Sequence, residues 1–238
     1  LKLTGPLTTY YLTPESFTRD LGPKQITYPG YHEISYLSPK YFSPDSSIFE
    51  SLGIKRNEKY VIIRFVSWDA YDDLGMSGMS DTQKYQLVKE LSSHCRVFVS
   101  SEGRLPDNIS QYSLDIEPWE LQSAEYFADL LIGESGSMSA ESAMMGTPSI
   151  YISSKSHGFI TDIGRRYGLI YHTENFKEAL NRAEEILNYD AAQEYYKAQS
   201  NRLMAENINL TEYLCWFVEN IHHGSVIKSP RKEMFLNV

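Results

Sequence analysis

Cysteine and long apolar runs are both scarce in this chain of 238 residues. Its two cysteines, Cys95 and Cys215, form no CxxC pair and share no His-rich surroundings, and one disulfide between them is the alternative to free thiols. We expect two buried thiols in a reducing, cytoplasmic compartment. No apolar run approaches the roughly 20 residues that cross a bilayer, so the sequence predicts no membrane span.

The chain also lacks an excess of positive charge. It has 22 Lys and Arg against 31 Asp and Glu, with a net charge of −9 and a pI near 5.2. Such a chain has no general field that attracts nucleic acid or an anionic membrane. An anionic ligand would need a local binding device, and neither class of polyanion is expected as a partner.

Two common phosphate-binding motifs are missing from the sequence. It contains neither GxGxxG nor GxxxxGK[ST], which disfavours the usual dinucleotide-binding and P-loop classes. No internal repeat is present either, which disfavours a solenoid.

An alternation of strands and helices begins at residue 60. Continuous apolar runs predict strands buried on both faces, and amphipathic stretches between them predict helices. The runs are "YVIIRFVSW", "CRVFVSS", "DLLIG", "PSIYIS" and "LIYHT". We therefore predict an α/β fold with a doubly wound, mostly parallel, Rossmann-like sheet.

The chain divides into three predicted parts. Residues 1–45, rich in Tyr and Pro, are expected to be the end of an absent N-terminal domain and an interdomain segment. Residues 46–205 are expected to form the nucleotide-binding domain. Residues 206–238 are expected to be a helix returning to the N-terminal side, followed by a frayed tail.

The stretch "ADLLIGESGSMSAESAMMGTPSIYI", residues 128–152, predicts a strand, a small polar turn, a helix and a second strand. Backbone N–H groups of Ser135, Gly136 and Ser137 and the positive end of the helix make an anion site that needs no lysine. Glu141, about one turn into the helix, can accept hydrogen bonds from a ribose diol. The structural alternative is that Ser137 caps the helix and Glu141 is solvated.

Arg64 lies within an apolar strand run, where a cation needs a partner. It is either one half of a structural ion pair or a phosphate contact at the edge of the sheet.

Asp69, Asp72 and Asp73 follow in the next loop, as either solvated carboxylates or ligands of a divalent cation. We expect no cofactor and no required metal, because the turn and the helix end supply the positive potential.

The fourth strand run is followed by "SSKSHGF". His157 in this loop is a candidate general base or sugar contact, and Lys155 is a candidate phosphate contact. The alternative for both is an ordinary surface residue.

The 128–152 stretch resembles the donor-nucleotide motif of GT-B glycosyltransferases, and most closely that of the non-hydrolysing UDP-N-acetylglucosamine 2-epimerases. That motif runs acidic-Ser-Gly-Gly, then Glu, Gly and Pro. Ser135, Gly136, Glu141, Gly146 and Pro148 match it, and a serine replaces the second glycine. The resemblance implies a diphosphate on the Ser-Gly backbone and a ribose on the glutamate.

The same stretch, with "TYPGYHEISYLSPKYFSPD" and "YVIIRFVSWDAYDDLG", resembles a family of unknown function with a glycosyltransferase-like fold. Its members carry a further N-terminal domain. The resemblance implies the C-terminal half of a GT-B-like protein and gives no established substrate. For such a protein we predict transfer of a sugar from a nucleotide donor, UDP most favoured, to an unknown acceptor. The "DAYDDLG" loop replaces a His-Arg pair of the epimerases, which counts against epimerase chemistry. Three functions stay open: sugar transfer, epimerisation, and nucleotide or sugar binding without catalysis, in a monomer or a homo-oligomer.

Overall fold

A computed structural model describes residues 5–67, 78–221 and 234–235 of the chain. The chain forms two compact units, one made of residues 1–42 and 202–238 and the other of residues 43–201. The strands are β1 (Tyr11–Pro14), β2 (Gln25–Tyr28), β3 (Tyr60–Phe65), β4 (Arg96–Ser101), β5 (Leu130–Gly133), β6 (Ser149–Ile152) and β7 (Ile170–Thr173). The helices are α1 (Ile34–Leu37), α2 (Ile48–Ser51), α3 (Asp81–Ser92), α4 (Leu121–Phe127), α5 (Gly136–Met145), α6 (Gly158–Tyr167), α7 (Phe176–Leu187), α8 (Ala192–Glu206) and α9 (Leu210–Ile221).

The larger unit is built on a five-stranded sheet in the order β4-β3-β5-β6-β7, with every pair parallel. The apolar runs account for this arrangement, because strands covered on both faces have no polar side to alternate with. All four residues of β5 and of β6 are buried. The predicted doubly wound, mostly parallel, Rossmann-like sheet is confirmed.

Helix boundaries in this unit follow local capping chemistry. Ser80 caps α3 in a reciprocal capping box with Gln83. Helix α5 ends at Gly146, which adopts the left-handed conformation with φ 82° that glycine tolerates best.

One face of the sheet packs on an apolar cluster that includes Tyr60, Ile62, Leu131 and Met138. Tyr60 is fully buried and donates a hydrogen bond from its hydroxyl to the carbonyl of Ala124 (2.6 Å). Burial raises the pKa of this phenol, so it stays a donor at any physiological pH. This core fixes the strands whose ends carry the site.

The smaller unit has its own aromatic core. Tyr28, Tyr213, Phe217 and Phe235 pack together, and Tyr213 lies on α9. Strands β1 and β2 pair in parallel in this unit, a short ladder that the sequence did not predict because four-residue strands show almost no period.

Both cysteines are free thiols. The prediction of burial was wrong for Cys215, which is exposed on α9 because the helix turns Tyr213 and Phe217 inward instead. Within the described residues, no helix is long and apolar enough to cross a membrane.

Candidate functional site

The carboxyl edge of the sheet contains a topological switch point. The chain passes from β3 to β4 on one side, and then returns to place β5 on the other side of β3. Open α/β sheets bind ligands in the crevice outside the carboxyl ends of two such strands. The turn after β5, at residues 133–135, lies at this point.

Gly133 ends β5 where the backbones of β3 and β5 come very close. A Cβ atom on Gly133 would lie 2.1 Å from the carbonyl oxygen of Arg64, far inside van der Waals contact. The next residue, Glu134, donates its backbone N–H to that same oxygen (2.9 Å). The turn is therefore fixed directly on the end of β3.

Ser135 is the N-cap of α5, and its hydroxyl accepts a hydrogen bond from the N–H of Met138 (3.3 Å). The cap is therefore Ser135 rather than Ser137, and Gly136 and Ser137 are the first two helical residues. Among the described residues, no hydrogen bond is made by the N–H groups of Gly136 and Ser137. Two donors at the positive end of a helix make this turn suitable for an anion.

Glu141 is half-buried on α5 and lies near a second carboxyl group. Glu125 of α4 is fully buried and accepts a hydrogen bond from the hydroxyl of Ser142 (3.4 Å). Burial, and then the charge of Glu141, raise the pKa of Glu125 well above its usual value. Glu125 is therefore harder to ionise than an ordinary glutamate.

Arg64 forms the structural ion pair that was one of its two predicted roles. Its guanidinium donates to Glu102 (2.6 Å) and to the hydroxyl of Ser100 (2.7 Å), both on the β4 side. Only 18% of its side chain is exposed. A phosphate contact from Arg64 stays a prediction.

His157 is placed beside the first turn of α5. A Cβ atom on Gly136 would lie 3.5 Å from His157 Cδ2 and 3.8 Å from its Nε2. The imidazole stacks on Phe159 (5.4 Å between centroids) and tilts against Tyr151, which in turn stacks on His172. This row of rings fixes His157 next to the candidate anion site.

Lys155 lies in the same loop, and its backbone N–H donates to the hydroxyl of Ser153 (3.0 Å). The Asp69, Asp72 and Asp73 loop lies outside the described residues. In the described part of the chain, no three His, Cys, Asp or Glu side chains are grouped in a way that could hold a metal ion.

Glu134 is the residue whose role sequence reasoning missed. Its carboxylate is 3% exposed and accepts hydrogen bonds from the N–H groups of Val66 (3.1 Å) and Met79. These two donors lie at opposite ends of the segment between β3 and α3. The available signal was an acidic residue placed between an apolar strand and a capping serine, where a carboxylate needs partners if it is buried.

The structure thus brings Ser135, Gly136, Ser137 and His157 together at the start of α5. The Arg64 backbone lies against the same turn, while its guanidinium is bonded on the β4 side. Glu141 lies on the same helix, a little over one turn further along.

Solved structures with this fold include proteins bound to UDP and to UDP-GlcNAc. S. aureus MnaA, in a structure with UDP, matches with a TM-score of 0.61 at 10% identity over 97% of this chain and 65% of its own. The Neisseria meningitidis UDP-GlcNAc 2-epimerase bound to UDP-GlcNAc matches with a TM-score of 0.53 at 12% identity over 93% and 63%. A sucrose-phosphate synthase from Thermosynechococcus elongatus matches with a TM-score of 0.56 at 15% identity over 85% and 54%.

At these identities the similarity shows a shared fold. The chain spans less than two thirds of the length of each of these structures. None of the curated proteins compared with it matches. A family described as a protein of unknown function, DUF354, matches residues 2–210, and the chain therefore belongs to the DUF354 family.

Proposed function

We propose that this chain binds a nucleotide-sugar donor, a UDP-sugar most favoured, at the carboxyl edge of its sheet and takes part in transferring the sugar to an acceptor. The observation that carries the proposal is the first turn of α5 at the switch point, where Gly136 and Ser137 present N–H groups that no described residue accepts from. The solved structures bound to UDP and to UDP-GlcNAc support it through their fold alone.

In this proposal the diphosphate lies on Ser135, Gly136 and Ser137, and the ribose lies on Glu141. His157 lies beside the phosphates and is the candidate for a sugar contact or a proton transfer. Lys155 and Arg64 are the remaining candidates for phosphate contacts. A divalent cation is not required, because the helix end supplies the positive potential.

Transfer would rely on positioning and on electrostatic stabilisation of the departing diphosphate by the helix N-terminus. Adding a chelator tests whether donor binding needs a divalent cation. Donor affinity should be unchanged by EDTA, whereas loss of binding would assign the phosphates to a metal site.

The decisive experiment measures the affinity of UDP for the protein and for Glu141→Ala. Losing hydrogen bonds to a charged group costs about 1.5–3 kcal/mol, so affinity should fall about tenfold or more. A 2′-deoxy nucleotide should bind the unsubstituted protein more weakly than UDP, and the difference should nearly vanish in the variant. Glu184→Ala, an exposed glutamate on α7 of the same unit, is the control.

Equal affinities of the unsubstituted protein for the ribose and deoxyribose forms would remove Glu141 from the site. Absence of binding by any nucleoside diphosphate in a thermal-shift screen would contradict the proposal as a whole.

A nucleotide-sugar epimerase is the second candidate, favoured by the match of the Neisseria meningitidis UDP-GlcNAc 2-epimerase structure to 93% of the chain. Product analysis separates the two enzymes, because epimerisation returns a nucleotide sugar and transfer releases the nucleotide. Binding without turnover would support a protein that kept the pocket without the chemistry.

A further inference from the structure

Two carboxylates hold the backbone where it leaves β3. Glu102 accepts hydrogen bonds from the N–H and the hydroxyl of Ser67 (3.2 and 3.4 Å). Glu134, on the other side, accepts from the N–H of Val66 (3.1 Å) and from that of Met79. Consecutive residues of one segment are thus held from both neighbouring strands.

The two carboxylates differ in burial. The Glu102 side chain is 41% exposed, so water can replace the bonds it makes. Glu134 is 3% exposed, and a buried N–H that loses its acceptor there finds no water. Equivalent substitutions at the two positions should therefore have very different effects.

Glu134 is fixed at three points, two at the end of β3 and one just before α3. Its backbone N–H donates to Arg64, and its two carboxylate oxygens accept from Val66 and Met79. The next residue is Ser135, the cap of α5, followed by the N–H groups of Gly136 and Ser137. Any shift of residue 134 is transmitted to those groups through Ser135.

We propose that Glu134 is a positioning residue that sets the place of the anion-binding N–H groups of α5 relative to the exit of β3. This inference rests on the proposed nucleotide site, and it assigns the geometry of that site to a buried carboxylate that does not touch the ligand. This position requires a carboxylate, because both of its oxygens accept hydrogen bonds from backbone N–H groups.

Glu134→Gln tests this requirement with the smallest change of shape. The amide has one oxygen, so its NH₂ group must face either Val66 N–H or Met79 N–H as donor against donor. Glu134→Asp keeps both oxygens but shortens the side chain by one methylene. Glu102→Gln makes the same chemical change at the exposed carboxylate, but it also removes the ion-pair partner of Arg64. Glu184→Gln, at an exposed glutamate on α7, is therefore the matched control.

Affinities should be measured for UDP, for inorganic pyrophosphate and for uridine, with thermal melts of every variant. In Glu134→Gln we expect UDP and pyrophosphate to bind at least tenfold more weakly while uridine affinity changes less than twofold. Glu134→Asp should give a smaller loss of the same pattern, and it carries the test if the amide variant fails to fold. Glu184→Gln should lose no more than threefold for any ligand.

Equal losses for pyrophosphate and uridine would overturn the inference, since a general loss of structure affects both. So would unchanged pyrophosphate affinity in a folded Glu134 variant. If the unsubstituted protein binds neither UDP nor pyrophosphate, the proposed function fails and the positioning role fails with it. Binding by the unsubstituted protein that is insensitive to Glu134 contradicts the positioning role alone.

Discussion

The two edges of the five-stranded sheet satisfy their backbone groups in opposite ways. At the amino edge, helix C-termini present carbonyls, and the protein supplies the donors. Lys197 donates to the carbonyls of Met145 (2.6 Å) and Tyr126 (3.3 Å), and Ser200 donates to the carbonyl of Met144 (2.5 Å). At the carboxyl edge, carboxylates accept from the loop backbone, and the first N–H groups of α5 find no acceptor in the described part of the chain.

This difference separates a structural edge from a binding edge. Helix C-termini favour cations, and Lys197 is such a cation, 3.3 Å from the ring centroid of Tyr126. Helix N-termini favour anions, and no described acceptor from the protein takes the N–H groups of Gly136 and Ser137. We therefore expect a ligand at the carboxyl edge, where these N–H donors have no acceptor among the described residues.

The largest effect should come from Gly133→Ala at the binding edge. The added methyl group would meet the Arg64 carbonyl at 2.1 Å, which neither backbone can relieve without breaking the β3–β5 ladder. We expect a loss of about 3 kcal/mol or more in the free energy of unfolding, measured by urea denaturation.

Gly53→Ala measures the cost of a side chain at a positive φ where no backbone atom lies close to the new Cβ atom. Gly53 has φ 65° and open space around the position of a Cβ atom, so its loss should be about 1 kcal/mol. Similar losses at the two glycines would show that the contact with Arg64 does not matter.

The next effect concerns Lys197→Met at the structural edge. Two carbonyls would lose a buried donor, and the protein should lose about 2 kcal/mol of stability at neutral pH. Burial lowers the pKa of Lys197 to about 8 from 10.5, so the native state binds fewer protons than the unfolded state between these values. The stability contribution of this group therefore rises as pH increases from 8 to 10.5.

That rise should be missing in Lys197→Met when the free energy of unfolding is measured across the same pH range. Lys177→Met, an exposed lysine on α7, should keep the slope of the unsubstituted protein. An unchanged slope in Lys197→Met would assign it to other groups.

The smallest effect should come from Glu125→Gln, at the buried glutamate on α4. A raised native pKa means that the native state binds the proton more tightly, so this group favours folding at low pH and less so as pH rises through that pKa. The amide keeps an acceptor for Ser142 and cannot ionise. We expect a gain of about 1 kcal/mol or less, growing with pH above 4.5, in urea titrations. A constant difference across pH would contradict a titrating Glu125.

The sheet was predictable from the sequence because its strands are continuous apolar runs such as Tyr60–Phe65. The turn at Ser135 was predictable because small residues and a helix start are local signals. The partners of Arg64 and Glu134 were not, since both depend on which strands become neighbours. The cap was assigned to Ser137 in the structural alternative because either serine satisfies the same local pattern.

The strand order has a consequence for the order of folding. Val61 pairs with Val97 on one side and with Leu130 on the other. Pairings between such distant residues form slowly, and the acceptor for Val66 and Met79 arrives only with β5. A nascent chain that ends before residue 130 therefore contains β3, β4 and α3 without any site. A ligand that needs the completed turn would slow unfolding and leave the early steps of folding unchanged.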